Sequence, residues 1–211
     1  MDLVSSAIIG CAALTAYGAV RRGADLRFGE SVAVVATGGV GSNIIQIAKA
    51  FGASQIVAID VSDDKLASAK ELGATEVINS LTSNAREEVL KITGGRGVDV
   101  AFEALGRPET WNTALNVIKD GGRMVPIGLG AGVQTAQVEI NRLVRRSQRI
   151  LGSYGARTRQ DLPEVIRMAA KGLISYQKIV TKRVPLNEAN ATYKLLSQGK
   201  IQGRAVVDMS L

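Results

Sequence analysis

Gly38, Gly39 and Gly41 follow the β-branched run Val32-Ala-Val-Val35, and Asp60 closes a second apolar run about twenty residues further on. Glycines at such a turn let backbone N–H groups approach an anion closely. The start of the following helix adds the positive end of its dipole. An acid at the end of the second run accepts hydrogen bonds from neighbouring hydroxyls and disfavours a phosphate on either of them. An anion cradle followed by a diol acceptor matches a dinucleotide, with its pyrophosphate and adenosine ribose. The plainer alternative is an ordinary strand-to-helix connection with a turn-forming acid.

The full three-glycine pattern would place glycine at position 36, where this chain has Ala36. The sequence reading lets alanine make this turn only if φ stays negative, because its Cβ disfavours φ > 0. Val40, Ile44, Ile47, Ala48 and Phe51 recur at helical spacing, and Ile56-Val-Ala-Ile-Asp60 supplies the second strand.

Six strands are predicted to position these residues, at 31–36, 55–61, 74–78, 98–102, 124–129 and 148–154. Helices are predicted between them at 39–51, from the N-cap Ser62 to about 72, at 84–93 and after Pro108. Trp111, Ala114, Leu115 and Ile118 form the apolar stripe of the last of these. Pro126 predicts a bulge or break in its strand. Residues 3–20 read as helical with an interruption near Gly10 or Gly18, and a basic helical turn is expected near 141–146. A helix at 159–171, with Leu162, Val165, Ile166 and Ala169 on one face, a strand near 178–184, a helix at 187–198 and a strand at 204–208 follow. Alternating strands and helices predict an α/β fold: a doubly wound parallel six-stranded Rossmann sheet with helices on both faces, plus C-terminal helix and strand elements.

Composition narrows the chemistry. The 211 residues are 46% hydrophobic, enough for one sizeable core. Net charge is +7, but the basic residues are spread along the chain and aromatics are only 4%. Nucleic acid is therefore not the expected partner. The chain has one cysteine and no histidine. It cannot assemble a tetrahedral N/S zinc site from its own residues, and it lacks the commonest general base. The apolar stretch after Asp2 is broken by Ser5, Ser6 and Gly10, so neither a secretory leader nor a membrane span is expected.

Gly10-Cys-Ala-Ala-Leu-Thr-Ala-Tyr-Gly-Ala19 and Gly38-Gly-Val-Gly41 resemble the zinc-type alcohol dehydrogenases of the medium-chain dehydrogenase/reductase family. The resemblance continues through Lys70–Ile78, Gly95–Val100, Glu103-Ala-Leu-Gly106, Ile127-Gly-Leu129, Gly152-Ser-Tyr-Gly155 and Gly199–Val206, so it covers nearly the whole chain in order. It implies a linker helix remnant at 1–23, an NAD-binding Rossmann domain at 24–156 and C-terminal junction elements at 157–211. The family's GroES-like catalytic domain, which carries most zinc ligands, is expected to be absent from these residues.

The resemblance implies that Gly38, Gly39, Val40 and Gly41 hold the pyrophosphate, and that Asp60 and Lys65 meet the adenosine ribose. Thr15, Ala104, Leu105, Arg107, Ile127, Leu129, Gly152 and Tyr154 would line the nicotinamide side, and Arg204 would pair with phosphate. Cys11 matches a catalytic zinc ligand in a full-length enzyme; its plainer alternative is a small buried thiol. The implied cofactor is NAD, with zinc and an alcohol or aldehyde substrate only in the full-length form. A homodimer through the strand near Arg149–Tyr154 is implied, flanked by Arg142, Arg145, Arg146 and Arg149, whose default is a solvated face. Two other readings stay open: a zinc-free NADPH quinone reductase, and a non-catalytic NAD-binding or dimerisation module.

Overall fold

The computed structural model describes residues 2–201 and 203–211. Strands β1 (Ser31–Val35), β2 (Gln55–Asp60), β3 (Glu76–Asn79), β4 (Val98–Glu103), β5 (Ile118–Pro126) and β6 (Arg149–Ile150) form one parallel sheet in the order β3-β2-β1-β4-β5-β6. Val32 in the centre pairs with Ile56 on one side and Val100 on the other.

Alternate residues of these strands feed two cores. Val32, Val34, Ile56, Ala58, Val100 and Phe102 meet Ile44 and Ile47 of α3 (Gly39–Ala50) and Leu66 of α4 (Asp63–Leu72). Ala33, Val35, Val57, Ile59 and Ala101 meet Val89 of α5 (Ala85–Ile92) and Ala114 and Leu115 of α6 (Pro108–Val117). Burial on both faces explains why the strands read as continuous apolar runs rather than alternating ones. The strand order reverses between β1 and β4, and such a switch point opens a crevice at the carboxyl ends of the strands.

The N-terminal segment comprises α1 (Leu3–Ser6), a 3-10 turn (Ala7–Gly10), α2 (Ala12–Gly18) and a π-helical turn (Ala19–Gly23). The interruption falls at Gly10, not Gly18. Gly18 instead allows close packing, since a Cβ there would stand 2.1 Å from the Gly155 carbonyl oxygen. No single described helix is long and apolar enough to cross a membrane. The pair Leu3–Gly10 and Ala12–Gly23 passes by length and composition together but is bent by 43°.

Past the sheet lie α7 (Ile140–Arg145), α8 (Thr158–Ala170), α9 (Ala189–Ser197) and a separate parallel pair, β7 (Val180–Val184) with β8 (Arg204–Val207). Asp161 of α8 takes both Nε (3.0 Å) and an NH2 bond (2.7 Å) from Arg22, tying α8 to the π-turn.

Several sequence expectations need correction. The strand expected at 148–154 has only two residues, although the bonds Leu151 N to Met124 O (2.9 Å) and Ser153 N to Pro126 O (3.0 Å) extend its contact. Pro126 ends β5 opposite Glu103. The register irregularity lies earlier, between the pairs at Val98 and Val100, where Gly121 takes φ +70°. Residues 127–129 form a loop rather than strand, and Ile118 opens β5 instead of extending α6. Ile166 is exposed rather than on the buried face of α8. Ser62 stands at the N-cap of α4 without a side-chain cap bond.

Candidate functional site

The β1–α3 turn begins at Ala36, whose φ is +69°. This overturns the expectation of a negative φ. Two bonds hold the turn in the left-handed region: Ala36 N to Ile59 O at 2.8 Å, and Thr37 N to Asp60 Oδ2 at 2.8 Å. An alanine there costs roughly 1–2 kcal/mol. Glycine would remove that strain but add about 0.4–1 kcal/mol of unfolded-state entropy. Ala36→Gly is thus expected to stabilise the chain by about 0.5–1 kcal/mol and raise its melting midpoint by about 1–4 °C, read by calorimetry.

Three glycines beyond Ala36 have distinct environments. Gly38 caps α3 at φ −67°, and a Cβ there would meet nothing within 4 Å. Gly39 lies under the Arg204 guanidinium, whose Nε would stand 1.8 Å from an added Cβ. A Cβ on Gly41 would stand 2.1 Å from the Ala36 carbonyl oxygen. Arg204, the first residue of β8, is held by its N–H to Ile179 O at 2.8 Å. Its Nε is buried and has no acceptor among the described residues. An orphaned cationic N–H over a glycine turn at a helix N-terminus fits an anionic group.

Asp60 is almost fully buried and accepts four hydrogen bonds. Oδ1 takes Val61 N (2.8 Å) and Ser62 N (3.2 Å), and Oδ2 takes Thr37 N (2.8 Å) and Thr37 Oγ1 (3.2 Å). Lys65 Nζ lies 3.9 Å from Oδ1. Asp60 therefore forms its own turn through Val61 and Ser62 and ties the loop after β1 to it through Thr37. Thr37 escaped the sequence reading, although a hydroxyl inside the turn facing an acid at the next strand's end was its signal.

A cleft of about 600 Å³ opens beside this turn. It gathers Cys11, Thr15, Val40, Ala104, Leu105, Ile127, Leu129 and Tyr154, with Tyr154 and Leu129 on its exposed rim. Leu14, Ser153 and Ala156 also line it and were not singled out in the sequence. Thr15 lines the cleft on the α2 side. Gly152 is exposed and does not line the cleft, although its neighbour Ser153 does. Arg107 lines an adjoining pocket of about 350 Å³ with Trp111, which shares Gly128 and Leu129 with the cleft.

Cys11 is exposed at the break before α2, not buried. Among the described residues no group of three or more His, Cys, Asp or Glu could hold a metal ion. A zinc site does not fit these residues by themselves. Of the basic cluster, Arg142 is half-buried and bonded to the Asn116 side chain and carbonyl, Arg146 pairs with Asp120 at 3.3 Å, and Arg145 is exposed.

The sheet order and the anion-fitting turn at its switch point define a doubly wound nucleotide-binding domain. A family model described as zinc-binding dehydrogenase matches residues 39–171, more than half of the chain. The chain belongs to this family and is a cofactor-binding domain of the zinc-type medium-chain dehydrogenases. Solved structures agree. It is 30% identical to the alcohol dehydrogenase TADH from Thermus sp. ATN1, over 95% of this chain and 56% of that one, with TM-score 0.88. It is 27% identical to benzyl alcohol dehydrogenase from Acinetobacter calcoaceticus, over 98% and 57%, with TM-score 0.92. It is 30% identical to 2R,3R-butanediol dehydrogenase from Bacillus subtilis, over 95% and 56%, with TM-score 0.85. The chain thus spans little more than half the length of these enzymes. The family implies a nicotinamide cofactor, and the Arg204 and Gly38 geometry fits its pyrophosphate.

Proposed function

We propose that this chain is the NAD(H)-binding part of an alcohol dehydrogenase-like oxidoreductase, with residues 24–156 as the cofactor domain and 1–23 and 157–211 as the elements joining it to a catalytic part. One observation carries the reading: the buried, acceptorless Arg204 Nε over Gly39, beside a Gly38 whose Cβ position faces open space. When bound, a nicotinamide ring supplies hydride transfer at its C4, here to or from an alcohol carbon. The chain's own contributions are binding and orientation. The N–H groups of the Gly38–Gly41 turn and Arg204 neutralise the pyrophosphate. The mostly apolar cleft between Thr15, Val40, Leu105 and Ile127 excludes water from the nicotinamide side. An alcohol as substrate rests on the names of the three relatives. Zinc chemistry would need donors from outside these 211 residues to join Cys11.

Asp60 would accept the adenosine ribose hydroxyls where the weakest of its four partners, the Thr37 hydroxyl at 3.2 Å, rotates away. A 2′-phosphate would bring about −2 charge against the carboxylate, offset in part by Lys65. NADH is therefore expected to bind at least about tenfold more tightly than NADPH, measured by cofactor fluorescence titration. Asp60→Ser should narrow the gap while lowering stability by about 1–3 kcal/mol, since buried donors lose their acceptor. Equal or stronger NADPH binding contradicts the Asp60 assignment. It would favour the zinc-free reductase reading, which Ala36 in place of the first turn glycine supports and Cys11 opposes.

The β6 edge is the proposed dimer contact. Leu151 donates inward to Met124, so the outward-facing N–H groups belong to its neighbours, Ile150 among them. Light scattering is expected to give a dimer that Ile150→Pro dissociates. A monomeric wild type contradicts this contact.

A further inference from the structure

We propose that Glu103 is a positioning residue for the nicotinamide end of the cofactor, an inference that rests on the nicotinamide reading above. Glu103 ends β4 at the switch point and is fully buried. Its Oε1 accepts three bonds: from Leu105 N and Gly106 N, both at 2.8 Å, and from Thr110 Oγ1 at 2.7 Å. Its backbone carbonyl accepts Ile127 N at 2.8 Å and Gly128 N at 3.1 Å. One residue thus holds two loops, the one after β4 with its side chain and the one after β5 with its main chain. These loops supply Ala104, Leu105, Ile127, Gly128 and Leu129 to the cleft wall.

The contact between the two loops is backbone on backbone. A Cβ on Gly128 would stand 2.1 Å from Gly106 N, and one on Gly130 would stand 2.4 Å from Gly106 O. Gly106 itself needs φ +84°. With glycines at this contact, little side-chain bulk remains to set the spacing, so the Glu103 bonds fix it. Removing the carboxylate leaves two amides without their acceptor, while the Thr110 hydroxyl keeps only the Arg107 carbonyl at 3.0 Å, and the loop after β4 is free to shift. A shift there moves the nicotinamide wall. The pyrophosphate turn, which follows β1, and Asp60, which ends β2 on the far side of β1, keep their own bonds.

The test compares NADH with ADP-ribose, which lacks the nicotinamide ring, by calorimetric titration of the full chain. Wild type is expected to bind both. Glu103→Ala should weaken NADH about tenfold or more while leaving ADP-ribose within about twofold. Glu103→Gln, which keeps an acceptor for the two amides, should recover part of the loss. Should Glu103→Ala not fold, Thr110→Val removes one bond of the same oxygen and should weaken NADH alone by a few-fold. Parallel loss of both ligands, or no loss of NADH in a folded variant, overturns the proposal. A wild type that binds neither ligand overturns the cofactor reading itself.

Discussion

Arg123→Met is expected to destabilise the fold by about 3–5 kcal/mol, a fall of roughly 6–20 °C in melting midpoint. Arg123 is buried on β5 and binds the Ala24 carbonyl, the Asp25 carbonyl at 3.2 Å, and both Glu30 oxygens at 2.9 and 2.6 Å. It locks the segment entering β1 to the neighbouring half of the sheet. Methionine replaces much of the volume, so the loss reads out the stranded carboxylate and carbonyls rather than a cavity. Burial alone would raise the Glu30 pKa, but the Arg123 hydrogen bond, the Arg27 amide and the Arg123 charge outweigh it and hold it below the ordinary glutamate value of 4.5. The folded state therefore holds that proton less tightly than the unfolded chain. This stabilisation is complete above about pH 4.5 and is lost as pH falls through the folded-state value. Chemical denaturation across pH 3–6 should show a shallower acid slope in Arg123→Met than in wild type. An equal slope would place the acid sensitivity elsewhere, with Asp161 the next candidate, since its bond to Arg22 also lowers its pKa.

Gly38→Asp is expected to leave folding intact and to weaken NADH about 100-fold. The protein itself gives position 38 no reason to be glycine: φ is negative and the Cβ direction is open. Aspartate is a favoured helix N-cap, worth about 0.5–2 kcal/mol over residues that cannot cap. The same side chain would stand where the pyrophosphate must approach and would add a like charge, a clash of several kcal/mol. Gly41→Ala is the contrast. Its Cβ would overlap the Ala36 carbonyl, so stability and binding should fall together, with stability down by about 1–3 kcal/mol. A Gly38→Asp chain that keeps wild-type NADH affinity would remove the anion from this turn.

The inner strands of the sheet were legible because both of its faces are buried there, which leaves runs such as Val32–Val35 and Ile56–Ile59 unbroken by polar residues. The edge was less legible. Arg149–Tyr154 carries the same apolar signal at Ile150 and Leu151, but Gly152 and the lack of a further strand end the regular pairing after two residues. Ala36 misled because propensity forbids what a fixed turn imposes: two hydrogen bonds to β2 outweigh the cost of its Cβ. In the site, glycine spacing located the turn and the resemblance located the cleft. Long-range packing was invisible in both. The seat of Arg204 over Gly39, the four bonds on Asp60 and the hold of Glu103 on two loops depend on residues up to 165 positions apart. Arg107 sits in a pocket that shares Gly128 and Leu129 with the cleft, and the exposed Gly152 lies outside the cleft lining.

The central claim is that the carboxyl edge of this sheet holds a nicotinamide dinucleotide across the Gly38–Gly41 turn. The most direct measurement is an NADH fluorescence titration of the wild-type chain, with ADP-ribose as competitor. The account predicts saturable binding at one site per chain, displaced by ADP-ribose and lost in Gly38→Asp. Absence of saturable NADH binding by the folded chain, or binding that Gly38→Asp leaves unchanged, would contradict it.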